Sequence, residues 1–169
     1  MTEELLNIYD ASGRHIGVAP RSECHGHPEL LHHTAHVFVF HPVTGALLLQ
    51  KRSFMKRIQP GKWDTSVGGH LALGEDYETG ARRELAEELG VTGPVELKYL
   101  FDSSIRNEIE SEDAQVFGLW QADGFRFQTS EIDAIRFWST DELFAPEHQE
   151  EFTPNLRSEL KELKKRGLI

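Results

Sequence analysis

Residues 69–91 read GHLALGEDYETGARRELAEELGV, and within them Glu84, Glu87 and Glu88 stand at i, i+3 and i+4. On a helix that spacing projects three carboxylates along one stripe. Left unbridged, each such like-charge pair costs the helix roughly 0.2–0.5 kcal/mol, so the arrangement makes physical sense when a divalent cation neutralises it. Ligands that offer only oxygen favour Mg²⁺ or Mn²⁺. An isolated glutamate cluster is usually a solvated acidic face, but the flanking residues here argue otherwise. Gly68, Gly69 and Gly74 precede the helix where the backbone must turn tightly or come close to a ligand, and Arg83 lies one turn before Glu87, within pairing distance.

Such a stripe works only if its helix is held in place. Asp76 is a suitable N-cap, Glu78 adds negative charge to the first turn, and Gly90 stands where a left-handed residue would stop the segment. The spacing predicts a helix of about thirteen residues, with Ala81, Leu85 and Leu89 facing the core. Around it the pattern predicts a small hairpin from 5–9 and 15–19, and a second from 35–40 and 46–52. A short strand at 63–67 feeds the glycines, and further strands are expected at 95–103, 115–122 and 132–138. The acidic stretch 104–114 reads as a loop. A short helix begins at 140–144, and Thr153-Pro154 opens a last one running through Arg166. There is no repeat or Gly/Ser linker, so one domain is expected over 1–169, with 1–34 as an N-terminal extension and 35–169 as the core.

At 169 residues the chain can bury a sizeable core, and its net charge of −10 argues against a nucleic-acid or anionic-membrane surface. Phosphate recognition then needs local positive charge, and Lys51, Arg52, Lys56, Arg57 and Lys62 supply it just before the glycines. The single Cys24 excludes an intramolecular disulfide framework and is most simply a packed residue. No apolar run long enough to span a membrane or to act as a secretory core appears, which leads to the expectation of a soluble cytoplasmic protein.

The pattern Gly69-x5-Glu75-x7-Arg83-Glu84-Leu85-x-Glu87-Glu88-x-Gly90-Val91 resembles the Nudix box at every fixed position. The resemblance implies an α/β fold of Nudix type, an α/β/α sandwich with a mixed sheet, here with an N-terminal β-hairpin extension. It also implies a Mg²⁺- or Mn²⁺-dependent enzyme that hydrolyses a nucleoside diphosphate linked to another group. By position, Glu84 corresponds to the metal-linked general base, Glu87 and Glu88 to metal ligands, and the Gly68 carbonyl to a further ligand. Arg83 and Glu75 correspond to orienting groups. The implied partner is a small-molecule diphosphate substrate, with neither nucleic acid nor membrane, and a homodimer is left open.

Nine histidines are many for this length, and five of them lie between positions 25 and 36. Within the superfamily, 21–112 resembles the branch that contains isopentenyl-diphosphate isomerase. That likeness implies a second metal site at His25, His32, His70, Glu110 and Glu112, and substrate-phosphate contacts from Arg21, Arg52 and Lys56. Imidazole-rich ligation suits a transition metal, Zn²⁺ or Mn²⁺, better than Mg²⁺. The departures are specific: Gly68 stands where the isomerase has its catalytic cysteine, and Asn155 follows Phe152-Thr153-Pro154 where the isomerase has an aromatic residue. Glu84 and Glu87 are glutamates that the isomerase motif lacks. The expected activity is therefore hydrolysis of a diphosphate linkage, with isomerisation and non-catalytic diphosphate binding as the alternatives.

Overall fold

The computed structural model describes residues 2–169. In chain order the elements are β1 (Leu5–Tyr9), β2 (His15–Pro20), α1 (Arg21–Cys24), β3 (Leu31–Phe40), β4 (Leu47–Arg52), β5 (Trp63–Asp64) and β6 (Val67–His70). They continue with α2 (Tyr77–Leu89), β7 (Lys98–Arg106), β8 (Ser111–Trp120), β9 (Ile132–Trp138), α3 (Thr140–Phe144), a 3-10 turn at Pro146–Glu151, and α4 (Pro154–Lys165).

β3 organises the sheet. One of its edges pairs in parallel with β8 along its whole length, from Leu31 opposite Ser111 to Phe40 opposite Trp120. Three strands share the other edge in turn: β1 at Leu31, β6 over Thr34–Val37, and β4 at Val39 and Phe40. The sheet therefore forks where β6 gives way to β4. β2 extends β1, β7 extends β8, and β9 and β5 pair with β4, so the nine strands make one mixed sheet.

Alternation along β3 divides the core into two layers. Ala35, Val37 and Val39 face α2 and bury Ala81, Leu85 and Leu89, while Phe38 and Phe40 face α4 and bury Leu156, Leu160 and Leu163. Burying each such leucine contributes roughly 1.5–3 kcal/mol, and this layering is the expected α/β/α sandwich. Cys24 is buried with Leu6 and Ala19 at the base of the hairpin, and burial raises its thiol pKa. Tyr9, His33 and Tyr77 stack in sequence at 3.9 and 5.2 Å, which ties β1 to the start of α2. Among the described residues no helix is long and apolar enough to cross a membrane.

Three expectations need correction. The stretch 104–114 is not a loop: β7 runs through Arg106, β8 starts at Ser111, and only a tight turn on Asn107 separates them. Two of its acidic residues are paired across the sheet, Glu112 with His32, and Asp113 with Arg106 at 2.7 Å. The hairpin of β3 and β4 is paired at two positions only, because β6 takes the rest of that edge. Finally, the single strand expected at 63–67 is split at Thr65 and Ser66, where the Ser66 hydroxyl accepts from the Val39 amide at 2.9 Å.

Candidate active site

The helix that carries the glutamates is built as its sequence dictates. Asp76 caps it by accepting from the Thr79 amide at 2.8 Å, and Gly90 ends it at φ 67° in the left-handed region. With Ala81, Leu85 and Leu89 inside, Glu84, Glu87 and Glu88 fall along the neighbouring stripe, where Glu84 and Glu88 reach β6 at Gly69 and Gly68.

Arg83 organises this cluster. Its guanidinium donates to both oxygens of Glu75 at 2.8 and 3.0 Å, to Glu84 at 2.7 Å, to Glu87 at 3.3 Å and to the His70 carbonyl at 2.9 Å. These bonds hold the Glu75 carboxyl below its usual range and raise the Arg83 guanidinium further. Glu84 lies flat against Gly69, where an added Cβ would fall 2.2 Å from its carboxyl carbon. Any side chain at that position would displace the Glu84 carboxyl from where it lies.

Glu88 occupies the fork. Its two oxygens accept from Gln50 of β4 at 2.8 Å and from the Gly68 amide of β6 at 3.3 Å. Burial, reinforced by the Glu84 charge, pushes its pKa up to about 8 against those bonds and the nearby Lys56 charge. Burial also raises Glu84, against Arg83. Adjacent carboxyls that resist ionising without a counter-charge fit a divalent cation, which would stabilise their charged forms. Glu87 is the most exposed of the three.

A second cluster forms on the α4-facing side of the sheet. His25, His32, His70 and Glu112 each offer a ligand atom, all within 4.8 Å of one another. Glu112 accepts from His32 at 3.1 Å and lies 3.4 Å from His70 Nε2, while Glu110 lies 3.2 Å from His25. Burial opposes charge on Glu112, but the two imidazoles outweigh it and hold the carboxyl well below its usual range. Burial likewise opposes charge on His70, yet bonding to Glu112 and Glu4 raises it to about 9. The buried His25 Nε2 has no hydrogen bond of good geometry. Three convergent imidazoles, a buried carboxylate and an unsatisfied ring nitrogen fit a transition-metal ligand set.

The basic residues are less concentrated. Arg52 bonds Asp64 at 3.3 Å and the Ile58 carbonyl at 3.1 Å, Lys56 pairs with Glu131, and Arg21 lies 3.7 Å from Glu4. Of these, Lys56 is the one whose charge acts on Glu88.

Two features escaped the sequence reading. Gln50 orients Glu88 from a strand position that reads as an ordinary half-buried polar residue. The other is a buried pair, His36 Nδ1 on Glu159 Oε1 at 2.6 Å, with Thr65 donating to the second carboxylate oxygen at 3.2 Å. Burial disfavours charge on His36, but the Glu159 charge and hydrogen bond prevail and raise it to about 9. The available signal was Glu159 itself, a carboxylate on the apolar stripe formed by Leu156, Leu160 and Leu163.

A family profile described as the NUDIX domain matches residues 30–159. The chain belongs to the Nudix family. It is 43% identical over 95 residues to Nudix hydrolase 3 of Arabidopsis thaliana, a match covering 56% of this chain and 12% of the plant protein. With an uncharacterized Nudix hydrolase of Yersinia pestis it shares 31% over 156 residues, 90% of this chain and 81% of that protein. Isopentenyl-diphosphate Delta-isomerase of Nocardia farcinica is 40% identical over 86 residues, 51% of this chain and 49% of the isomerase. The chain thus spans less than half of two of these relatives. A solved Deinococcus radiodurans structure superposes with a TM-score of 0.80 at 23% identity, covering 94% of this chain and 98% of that one, so the fold is shared.

Proposed function

We propose that this chain is a single-domain Nudix hydrolase that cleaves a diphosphate linkage in a small organic diphosphate by attack of water. The observation that carries this reading is the placement of Glu84 and Glu88 against Gly69 and Gly68, with Arg83 bonded to Glu75, Glu84 and Glu87. Glu84, Glu87, Glu88 and the Gly68 carbonyl would hold Mg²⁺ or Mn²⁺. When bound, such an ion supplies counter-charge for phosphoryl oxygens and makes water a competent nucleophile at neutral pH. Glu84 accepts the proton of the attacking water. Arg83 and Glu75 fix the direction of that carboxylate, while Gln50 and the Gly68 amide fix Glu88. Lys56, with Arg52 and Arg21, guides the anionic substrate toward an otherwise acidic protein.

His25, His32, His70 and Glu112, with Glu110 beside His25, would hold a second, transition-metal ion. This cluster also favours the other reading, an isomerase acting on an allylic or homoallylic diphosphate. Against that reading, Gly68 has no side chain to exchange a proton with carbon.

Turnover of nucleoside diphosphates, sugar nucleotides and isoprenoid diphosphates with Mg²⁺ and then Mn²⁺, read as released phosphate or pyrophosphate, tests the hydrolase directly. Glu84→Gln keeps the volume and removes the charge, so turnover on any substrate found should fall at least about 10²-fold with an unchanged melting temperature. Comparable rates in that variant would remove Glu84 from the mechanism. A double-bond shift without phosphate release would favour the isomerase instead.

A further inference from the structure

The His36–Glu159–Thr65 group lies outside the roles assigned so far. Glu159 is 2% exposed and sits on the core-facing stripe of α4, where a leucine would bury more apolar surface. Replacing a buried ion pair by well-packed apolar residues is often neutral or stabilising, so packing alone does not account for the pair.

The position of the ring is more informative. His36 and Gly68 are direct cross-strand partners on β3 and β6. A Cβ added at Gly68 would fall 3.2 Å from His36 Cδ2 and 3.6 Å from Nε2. The imidazole thus forms the surface that a side chain at position 68 would otherwise cover. The same Gly68 donates its amide to Glu88, so one residue separates His36 from the carboxylate at the fork. Nδ1 is committed to Glu159, whereas Nε2 makes no hydrogen bond among the described residues. Two positions earlier on the same face of β3, the buried Thr34 hydroxyl also lacks a partner. The Thr34 hydroxyl is the buried, unsatisfied member of this face, and the Nε2 edge of His36 is the open part of the ring beside the glycine pair, where a polar ligand at Gly68 would meet it.

We propose that His36 is a substrate-contacting residue that donates its Nε2–H to a phosphate oxygen of the bound diphosphate, with Glu159 and Thr65 as its positioning residues. This inference rests on the hydrolase reading, since it is Glu84, Glu87 and Glu88 that bring the diphosphate to Gly68. The pair suits the task. A ring anchored through Nδ1 to a buried carboxylate keeps one orientation, and a charge-assisted N–H bond to phosphate is short and directional. It also supplies a donor on the sheet face opposite Glu84, where Arg52 is already engaged by Asp64 and Lys56 by Glu131.

The test uses the full chain, Mg²⁺ and methylenediphosphonate, a diphosphate analogue whose P–C–P bridge cannot be hydrolysed. Binding should shift the imidazole ¹⁵N resonance of His36 Nε2 in the wild-type protein, an experiment that needs no variant to fold. His36→Asn can keep a donor near the Nδ1 position but lacks Nε2, so it should weaken binding about 10-fold, the loss of one charge-assisted bond. Glu159→Gln should reduce the Nε2 shift, and a merely structural pair would leave that resonance unmoved. If the wild type binds in a Mg²⁺-dependent manner while Nε2 is stationary and His36→Asn binds equally well, the pair is structural only and the proposal falls alone. If the wild type shows no Mg²⁺-dependent binding, the hydrolase reading fails and takes the proposal with it.

Discussion

At the scale of single residues, Glu88 joins fold and chemistry. Its carboxyl is buried at the fork and raised to about 8, so near pH 7 the metal-free protein holds a proton there. A cation held by Glu88, as proposed, would have to displace that proton. Mg²⁺ or Mn²⁺ affinity should therefore rise as pH increases toward 8 and level off above it, with proton release on binding near neutrality. Calorimetry in two buffers of different ionisation enthalpy measures that release, and buffer-independent heats at pH 7 would contradict the assignment. Glu88→Gln removes both the proton and the ligand, and should raise the metal concentration needed for half-maximal rate. An unchanged metal titration in that variant would exclude Glu88 as a ligand.

Among the elements, the strongest constraints fall on two glycines of the motif. At Gly69 a methyl group would meet the Glu84 carboxyl at 2.2 Å, so Gly69→Ala should displace Glu84 and lower turnover steeply while the far-ultraviolet spectrum is unchanged. Gly90→Ala should act differently. Left-handed backbone costs an L-residue roughly 1–2 kcal/mol, and the new methyl would also meet the Arg126 carbonyl at 2.8 Å. A lowered denaturation midpoint is expected, and a midpoint equal to wild type would show that the helix end relaxes freely. Helix α2 was legible from sequence because its cap, stripe and stop are local signals. The fork at β6 was not, because nothing near 67–70 says that β6 will take the edge of β3 before β4 does. Nor was β8 read from its start, since Ser111 and Glu112 are polar and become strand by pairing with β7 across a tight turn and with β3, whose His32 lies eighty positions from Glu112. His25, His32 and His70 were found through resemblance, whereas His36 passed as one histidine among several because its partner lies on α4.

For the whole molecule, the buried ionisable groups set a pH profile of stability. His36 and His70 have folded values of about 9 against about 6.5 unfolded, so their stabilising contribution is complete below pH 6.5 and is lost as pH rises through 9. Glu88 acts in the same direction over a lower window, since the metal-free native state keeps its proton to about pH 8 while the unfolded chain releases it near 4.5. Glu112 acts oppositely: its contribution is present above the ordinary carboxylate range and is lost as pH falls through its depressed value. The melting temperature of metal-free protein should therefore decline between pH 6.5 and 9, and saturating Mn²⁺ should flatten the decline. A rising or level metal-free profile over that interval would contradict these protonation states. The parallel ladder of β3 and β8 has a further consequence, for the order of folding. It joins segments eighty residues apart, as His32 and Glu112 show, and such contacts form late because a long loop must close first. A chain emerging from the ribosome can complete helix α2 and its glutamate stripe well before Glu112 is synthesised. The histidine cluster is then assembled only when the last central strand docks, so occupation of that cluster by metal during refolding would report closure of the sheet.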